Sequence, residues 1–362
     1  MNKISAIICE LNPLHQGHIY LFQRAKENAQ CLIAIMSGNF VQRGECAIFD
    51  KYTRASSAVN AGADLVLELP FPWCSGSAAF FARAGVHIAE SVGCTHLYFG
   101  SETGDLHALQ MVAETLNSRE FQTEFQTVGQ AGARREKLLA RLCPGLPSAV
   151  LSGANDILGS EYCRFLQKMN PVPVKRIDCA GATALRAAMA EEILRTGENP
   201  KGAVLSHRLA DLLFYFLRCV DAPPEGFAEG GGGVIRRLYK AAQEAESGAD
   251  MFLRGATKQY TNARLRRGAL FALTKITLDM LQALPMYTRV LAANTEGRAY
   301  LAGLRKEEGH IQLITNHRGR NELSAEGCRQ YLRAQRADAI YTLCMEPPRP
   351  SGWFAAANPE ML

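Results

Sequence analysis

The first half of the chain alternates short, nearly uninterrupted apolar runs with segments of helical pattern. This alternation restricts the fold more than any other feature. The runs at residues 4–9, 31–36, 64–69, 96–99 and 172–177 have strand length and few polar positions. Between them the spacing predicts helices near 18–29, 52–61, 77–92 and 156–168. A strand that is apolar throughout needs cover on both faces, and helices between parallel strands supply it. The expected class is therefore α/β, with a parallel, Rossmann-like sheet. Ligands of such sheets bind beyond the carboxyl ends of the strands. The loop from Glu10 to Gly17, after the first run, lies at that edge.

The second half reads differently. Helical patterns at 181–196, 204–220, 234–246 and 262–284 dominate, and 221–233, with Pro223, Pro224 and a run of four glycines from Gly230, reads as a connection or exposed loop. No internal repeat is present. The expected organisation is a catalytic domain at 1–200, a mainly helical, basic region at 201–345, and a loose tail at 346–362 marked by Pro347, Pro348, Pro350 and Gly352.

Charge says more about partners than about fold. The net charge is +5, but 256–340 holds fourteen Lys and Arg against seven Asp and Glu, a net of +7 that leaves about −2 for the rest. A basic region on a slightly acidic body suggests a polyanionic partner, with an arginine-rich solvated surface as the plainer reading. No run of about 18 apolar residues suggests a membrane span. The first run is too short for a signal-peptide core. Eleven cysteines without a C-x-x-C pair fit free thiols in a reducing cytoplasm.

The loop after the first strand reads Glu10-Leu11-Asn12-Pro13-Leu14-His15-Gln16-Gly17-His18. Pro13 stiffens the turn, and Gly17 lets backbone approach a ligand. His18 stands at a helix start, where free N–H groups favour an anion. His15 and His18, three apart, can converge on one phosphate and donate hydrogen bonds to charge that builds on phosphorus. A zinc site is not expected, because no second ligand pair accompanies these histidines; His310 and His317 are read as surface residues. Strand, Asn-Pro, then His-x-Gly-His resembles the nucleotide-binding turn of the HxGH nucleotidylyltransferase superfamily.

Further motifs narrow the resemblance. They are Met36-Ser37-Gly38-Asn39-Phe40-Val41-Gln42-Arg43-Gly44-Glu45, Phe49-Asp50-Lys51-Tyr52-Thr53-Arg54, Phe99-Gly100-Ser101-Glu102, Asn155-Asp156-Ile157-Leu158-Gly159, Thr257-Lys258-Gln259-Tyr260-Thr261 and Tyr287-Thr288-Arg289. In this order the set resembles the bacterial tRNA(Met) cytidine acetate ligase family, TmcAL. The resemblance implies a ligase that activates acetate with ATP as acetyl-adenylate. The acetyl group then passes to N4 of the wobble cytidine, position 34, of elongator tRNA(Met). It implies ATP contacts along Ile7, Ile8, Cys9, Glu10, Leu11, Asn12, Pro13, Leu14, His15, Gln16, Gly17, His18, Ile19 and Tyr20, and at Gly100, Asn155 and Arg176.

His15 and His18 are the expected catalytic pair. Thr183 and Arg186, in Gly181-Ala182-Thr183-Ala184-Leu185-Arg186, occupy the place of a second phosphate motif. Lys258, Arg264, Arg266 and Arg267 are the expected tRNA contacts, with Tyr260 and Tyr287 able to stack on bases. Mg²⁺ is expected with triphosphate chemistry. The chain departs from the family pattern at Gly181, where a serine is usual, in its short 176–181 stretch, and at Asp156, which places a carboxylate near a polyphosphate site. Two other readings remain open at this level: adenylyl transfer to a small phosphorylated cofactor precursor, and a tRNA-binding protein with a decayed site.

Overall fold

Ile4–Cys9 (β1) is buried along its whole length and forms the middle of a mostly parallel sheet. The computed structural model describes residues 3–128, 132–199, 202–231, 233–304, 311–355, 357 and 359–361, so His310 and Gly232 lie outside the described residues. The remaining strands are Cys31–Ser37 (β2), the hairpin Phe40–Val41 (β3) and Glu45–Cys46 (β4), Leu65–Leu69 (β5), His96–Ser101 (β6), Asn170–Lys175 (β7), Tyr287–Ala293 (β8), Gln312–Ile314 (β9) and Glu360–Met361 (β10). The sheet order is β10-β8-β5-β2-β1-β6-β7, with β9 also on β8. β1 pairs in parallel with β2 on one side and β6 on the other. The chain thus builds outward through β2 and β5, then returns to add β6 and β7. The reversal falls between β1 and β6, the place where open sheets of this class leave a crevice.

Helices between the strands cover the sheet as the sequence pattern requires. Ala78–Ser91 lies directly on β1: a Cβ at Gly85 would meet Ile8 Cδ1 at 2.9 Å. Thr295–Leu304 sits as closely on the start of β5, where a Cβ at Gly297 would come within 2.0 Å of the Asp64 carbonyl oxygen. In the second half, Ser206–Cys219, Val234–Glu244, Gly248–Gly255 and Asn262–Thr274 pack on one another. No helix among the described residues is long and apolar enough to cross a membrane.

Two expectations need correction, and the mainly helical second half also contributes to the sheet. The region read as mainly helical contains β8, which pairs antiparallel with β5 and is buried throughout. Its apolar pattern is broken by Thr288 and Arg289, yet both are buried. The Arg289 guanidinium finds buried hydrogen-bond acceptors, donating to the Tyr331 hydroxyl at 2.6 Å and to the Phe354 carbonyl at 3.3 Å. The single helix expected at 262–284 ends at Thr274, because Lys275 adopts a left-handed conformation (φ 58°), and resumes only at Leu278–Gln282. The tail is not loose. Phe354 is buried against Tyr52 and Tyr341, and β10 extends the sheet beside β8.

The halves are joined by a buried charge cluster. The Lys51 ammonium is 1% exposed and contacts Glu68 at 2.8 Å and Asp338 at 2.7 Å. Asn39 bridges it, donating to Asp338 and accepting from the Lys51 backbone N–H. Removing one member leaves the other charges buried without compensation, which costs about 3–5 kcal/mol. Lys51→Met should therefore lower the unfolding free energy by roughly that amount in urea titration, whereas Arg195→Ala, at an exposed ion pair, should change it by under about 0.5 kcal/mol.

Candidate active site

The loop after β1 is held from both sides. Arg54 donates to the carbonyls of Glu10, Gly38 and Phe49, and Arg186 donates to the carbonyl of Asn12. Between these clamped carbonyls, Leu11 is fully buried in the left-handed region (φ 47°), a conformation a leucine keeps only when its surroundings impose it. The buried Asn12 side chain accepts from the Ile48 backbone N–H at 2.7 Å and fixes the neighbouring loop.

His15 is the N-cap of helix Gln16–Lys26, so His18 is its third residue rather than its first. His15 Nδ1 accepts from the Gly17 backbone N–H at 3.1 Å. That bond puts the proton of the neutral ring on Nε2. A Cβ at Gly17 would stand 3.0 Å from this ring, so the glycine gives the histidine room to close this contact. The two imidazoles stack with centroids 3.8 Å apart. Burial pushes the His18 pKa down to about 3, and His15 adds to this; His15 itself is lowered by burial and by the Arg176 charge. Both rings are neutral hydrogen-bonding groups near pH 7.

A cavity of about 410 Å³ opens at the β1/β6 reversal, within the range of roughly 300–1,000 Å³ common for small-molecule sites. It is lined by Ile8, Cys9, Glu10, Leu11, Asn12, His15, Gly17, His18, Tyr20, Gly100, Asn155, Arg176, Thr183 and Arg186. Ile7, Pro13, Leu14, Gln16 and Ile19 are not in its lining. Ile7 points into the sheet core instead. Sequence reasoning missed Gln42, Arg43, Tyr162 and Lys175, which also line it. Arg43 and Lys175 are exposed and form no hydrogen bond or ion pair among the described residues. They stand at the mouth as uncompensated positive charge.

Three buried polar atoms lining this cavity have no hydrogen-bond partner among the described residues: His18 Nδ1, Gln42 Nε2 and the Tyr162 hydroxyl. Each such orphan costs about 1–3 kcal/mol unless a ligand or water satisfies it. A Cβ built at Gly100 would meet nothing nearer than Asn155, at 4.0 Å, so the space above that glycine belongs to the cavity.

Glu102 organises the rim. It accepts from the Asn155 side chain at 2.9 Å and from the backbone N–H groups of Asn155 and Asp156, and it pairs with Arg176 at 3.5 Å. Asn155 thus sits in the first turn of helix Ala154–Phe165, and Arg176 lies just past the end of β7 rather than late within it. The Asp156 carboxylate, expected near the phosphates, is buried away from the cavity. It accepts from the Ser101 hydroxyl and from the backbone N–H groups of Glu102 and Thr103, and so caps the loop after β6. Among the described residues, no group of three or more His, Cys, Asp and Glu could hold a metal. Glu10 is the one carboxylate in the cavity lining among the described residues.

The four basic residues singled out for tRNA divide. Lys258 is exposed, and Arg264 is half-buried over the Tyr260 ring. Arg266 instead pairs with Glu45, and Arg267 with Glu229 at 3.1 Å. Gly44, at φ 70°, presses on this helix so closely that a Cβ would meet the Arg267 backbone nitrogen at 2.6 Å. Arg266 thus ties the helical part to the hairpin beside the cavity, and Arg267 does so by donating to the Gln42 carbonyl at 3.4 Å. Tyr287 is fully buried against Tyr331 and cannot stack on a base.

The HIGH Nucleotidyl Transferase family profile matches residues 1–352. The tRNA(Met) cytidine acetate ligase of Caldanaerobacter subterraneus is 31% identical, over 93% of this chain and 94% of that protein. The protein of the same name from Thermoanaerobacter sp. is 32% identical, over 86% and 88%. The chain belongs to the tRNA(Met) cytidine acetate ligase family. Its fold also matches the crystal structure of Thermotoga maritima TmcAL bound with alpha-thio ATP. The TM-score is 0.90 at 27% identity, over 99% of each chain. In this ligase family member the cavity, the His15/His18 turn and the β1/β6 reversal coincide.

The depressed histidine values give a prediction with a definite sign. The unfolded chain takes up a proton on His18 near pH 6.5 that the folded chain refuses down to about 3. Stability should therefore fall as pH drops through 6.5 toward 3. By NMR the His18 ring should stay neutral well below pH 6.5, and a nonhydrolysable ATP analogue should raise its midpoint, because the phosphates favour the charged ring.

Proposed function

We propose that the chain activates acetate with ATP and transfers the acetyl group to N4 of the wobble cytidine, position 34, of elongator tRNA(Met). The reaction takes place in the cytoplasm. The observation that carries this reading is the cavity at the β1/β6 reversal, where neutral His15 and His18 meet Arg186, Arg176, Arg43 and Lys175. An acetate oxygen attacks the α-phosphorus, the bond to the bridging oxygen breaks, and the electron pair leaves with pyrophosphate. His15 Nε2–H and the unpaired His18 ring nitrogen donate to the oxygens of the crowded phosphorus, while the cations hold the leaving pyrophosphate. The amine of the cytidine then attacks the carbonyl carbon of acetyl-adenylate, AMP leaves, and the amine loses a proton. Burial raises the Glu10 pKa, which suits this carboxylate to accept that proton.

Mg²⁺ enters with the nucleotide in this reading. Such ions are held mainly by substrate phosphates and water with few protein ligands, which suits a cavity whose described lining holds no cluster of acidic residues. When bound, the ion would neutralise charge on the triphosphate.

Mass analysis of tRNA(Met) incubated with ATP and labelled acetate should find N4-acetylcytidine, with AMP and pyrophosphate released. His18→Ala should lower the rate by about 10²-fold or more, the cost of losing a preorganised donor. Absence of acetylcytidine with the wild-type chain would overturn the reading. For tRNA binding, Lys258→Ala should reduce the slope of log affinity against log salt by about one. Arg267→Ala should instead lower the melting temperature, because its charge is spent on Glu229.

A further inference from the structure

The cavity has two ends of different character. At its open end are the exposed Arg43, Lys175 and Arg176, with Asn155 half-buried beside them. At its closed end are Ile8, Phe81, Phe99 and Tyr162, all nearly inaccessible, with Leu158 against them. Asn155 and Tyr162 lie on the same helix, seven residues apart, so they are separated by about 10 Å along its axis. Rigid packing sets the walls of the closed end. Gly85 brings one helix onto Ile8, and a Cβ at Gly159 would meet the Phe99 ring at 2.7 Å. The Phe99 and Tyr162 rings are 5.6 Å apart.

Tyr162, which lines this end, has a buried hydroxyl with no hydrogen-bond partner among the described residues. Its charged neighbours include Glu10, at the carboxyl end of β1, where the histidine turn begins. We infer that the closed end is the acetate subsite, in which the Tyr162 hydroxyl donates a hydrogen bond to the carboxylate and Ile8, Phe81, Phe99 and Leu158 enclose the methyl group. This rests on the function proposed above and adds the residue that recognises the acid.

The chemistry matches in size and polarity. A purine presents several donors and acceptors around its edge, and a single hydroxyl in an apolar wall cannot satisfy them. A small carboxylate with one methyl group needs a donor and an apolar niche. Desolvation holds the Tyr162 pKa well above its usual value, so the group stays protonated and donates. It takes no part in proton transfer. One carboxylate oxygen accepts its hydrogen bond, leaving the other free to attack the α-phosphorus.

The test is acetate-dependent ATP–pyrophosphate exchange by the full chain, with affinity for a nonhydrolysable ATP analogue measured by calorimetry. Tyr162→Phe keeps the ring and removes only the donor. It should raise the KM for acetate about tenfold or more and leave analogue affinity within about twofold. Leu158→Ala, one turn away on the same face, should lower the KM for propionate relative to acetate. Weakened analogue binding with an unchanged acetate KM would assign the hydroxyl to the nucleotide and overturn the inference. No change in either quantity would overturn it too. Exchange by the wild type that does not depend on acetate would instead sink the functional reading beneath it.

Discussion

The Lys51 ammonium, closed off from solvent, lies between Glu68 on β5 and Asp338 on the helix Ala325–Cys344. Burial alone would push its proton off. The two carboxylates more than offset that, and its pKa lies above the usual lysine value. Such a cluster is costly to assemble and damaging to break, so it specifies one arrangement of the elements that supply it. The consequences reach the active site. A Cβ at Gly38 would stand 2.6 Å from Glu68 Oε1, and the carbonyl of that same glycine accepts from Arg54. Arg54 in turn holds the Glu10 carbonyl. The C-terminal helix is therefore connected, through four polar contacts and the close approach of Gly38 to Glu68, to the loop that leads into the His15 and His18 turn.

The site itself combines neutral groups with charge that has been left unspent. Inside, desolvation keeps both imidazoles uncharged and leaves His18 Nδ1 without a partner. Outside, Arg43 and Lys175 are exposed and form no ion pair among the described residues. A polyanion resolves both conditions at once: its charge meets the rim cations, and its oxygens give the buried nitrogens something to donate to. Glu10 runs against this trend, and its carboxylate accepts from the Gln42 backbone N–H at 2.7 Å.

Much of this was legible in the residues. β1, β2 and β5 are apolar runs of strand length, and the His-x-Gly-His turn could be placed at a sheet edge from pattern alone. What escaped was decided by long-range pairing. Arg289 looks like a surface residue until Tyr331 and Phe354 are brought to it. Asp156 reads as a carboxylate beside phosphates until the Ser101 hydroxyl at the end of β6 and two backbone N–H groups just after it turn it inward. Arg266 and Arg267 carry the charge of a nucleic-acid contact, but Glu45 and Glu229, distant in sequence, claim them. Tyr162 gave no signal, since an unpaired hydroxyl is visible only once its surroundings are known.

The departure at Gly181 acquires a physical meaning in this setting. Helix Ala182–Thr196 buries none of its residues, and its N-cap glycine makes no side-chain capping bond. A Cβ at Gly181 would meet nothing within 4 Å, so nothing steric excludes the serine that resembles the family pattern. Capping contributes about 1 kcal/mol where a hydroxyl supplies it, and its absence leaves the first-turn N–H groups open toward the cavity. The helix is instead anchored by Arg186, which reaches the Asn12 carbonyl and the Thr183 hydroxyl. One side chain thus fixes the histidine turn, orients the helix start and brings positive charge to the cavity. The glycine shifts onto Arg186 a task that a capped helix would share.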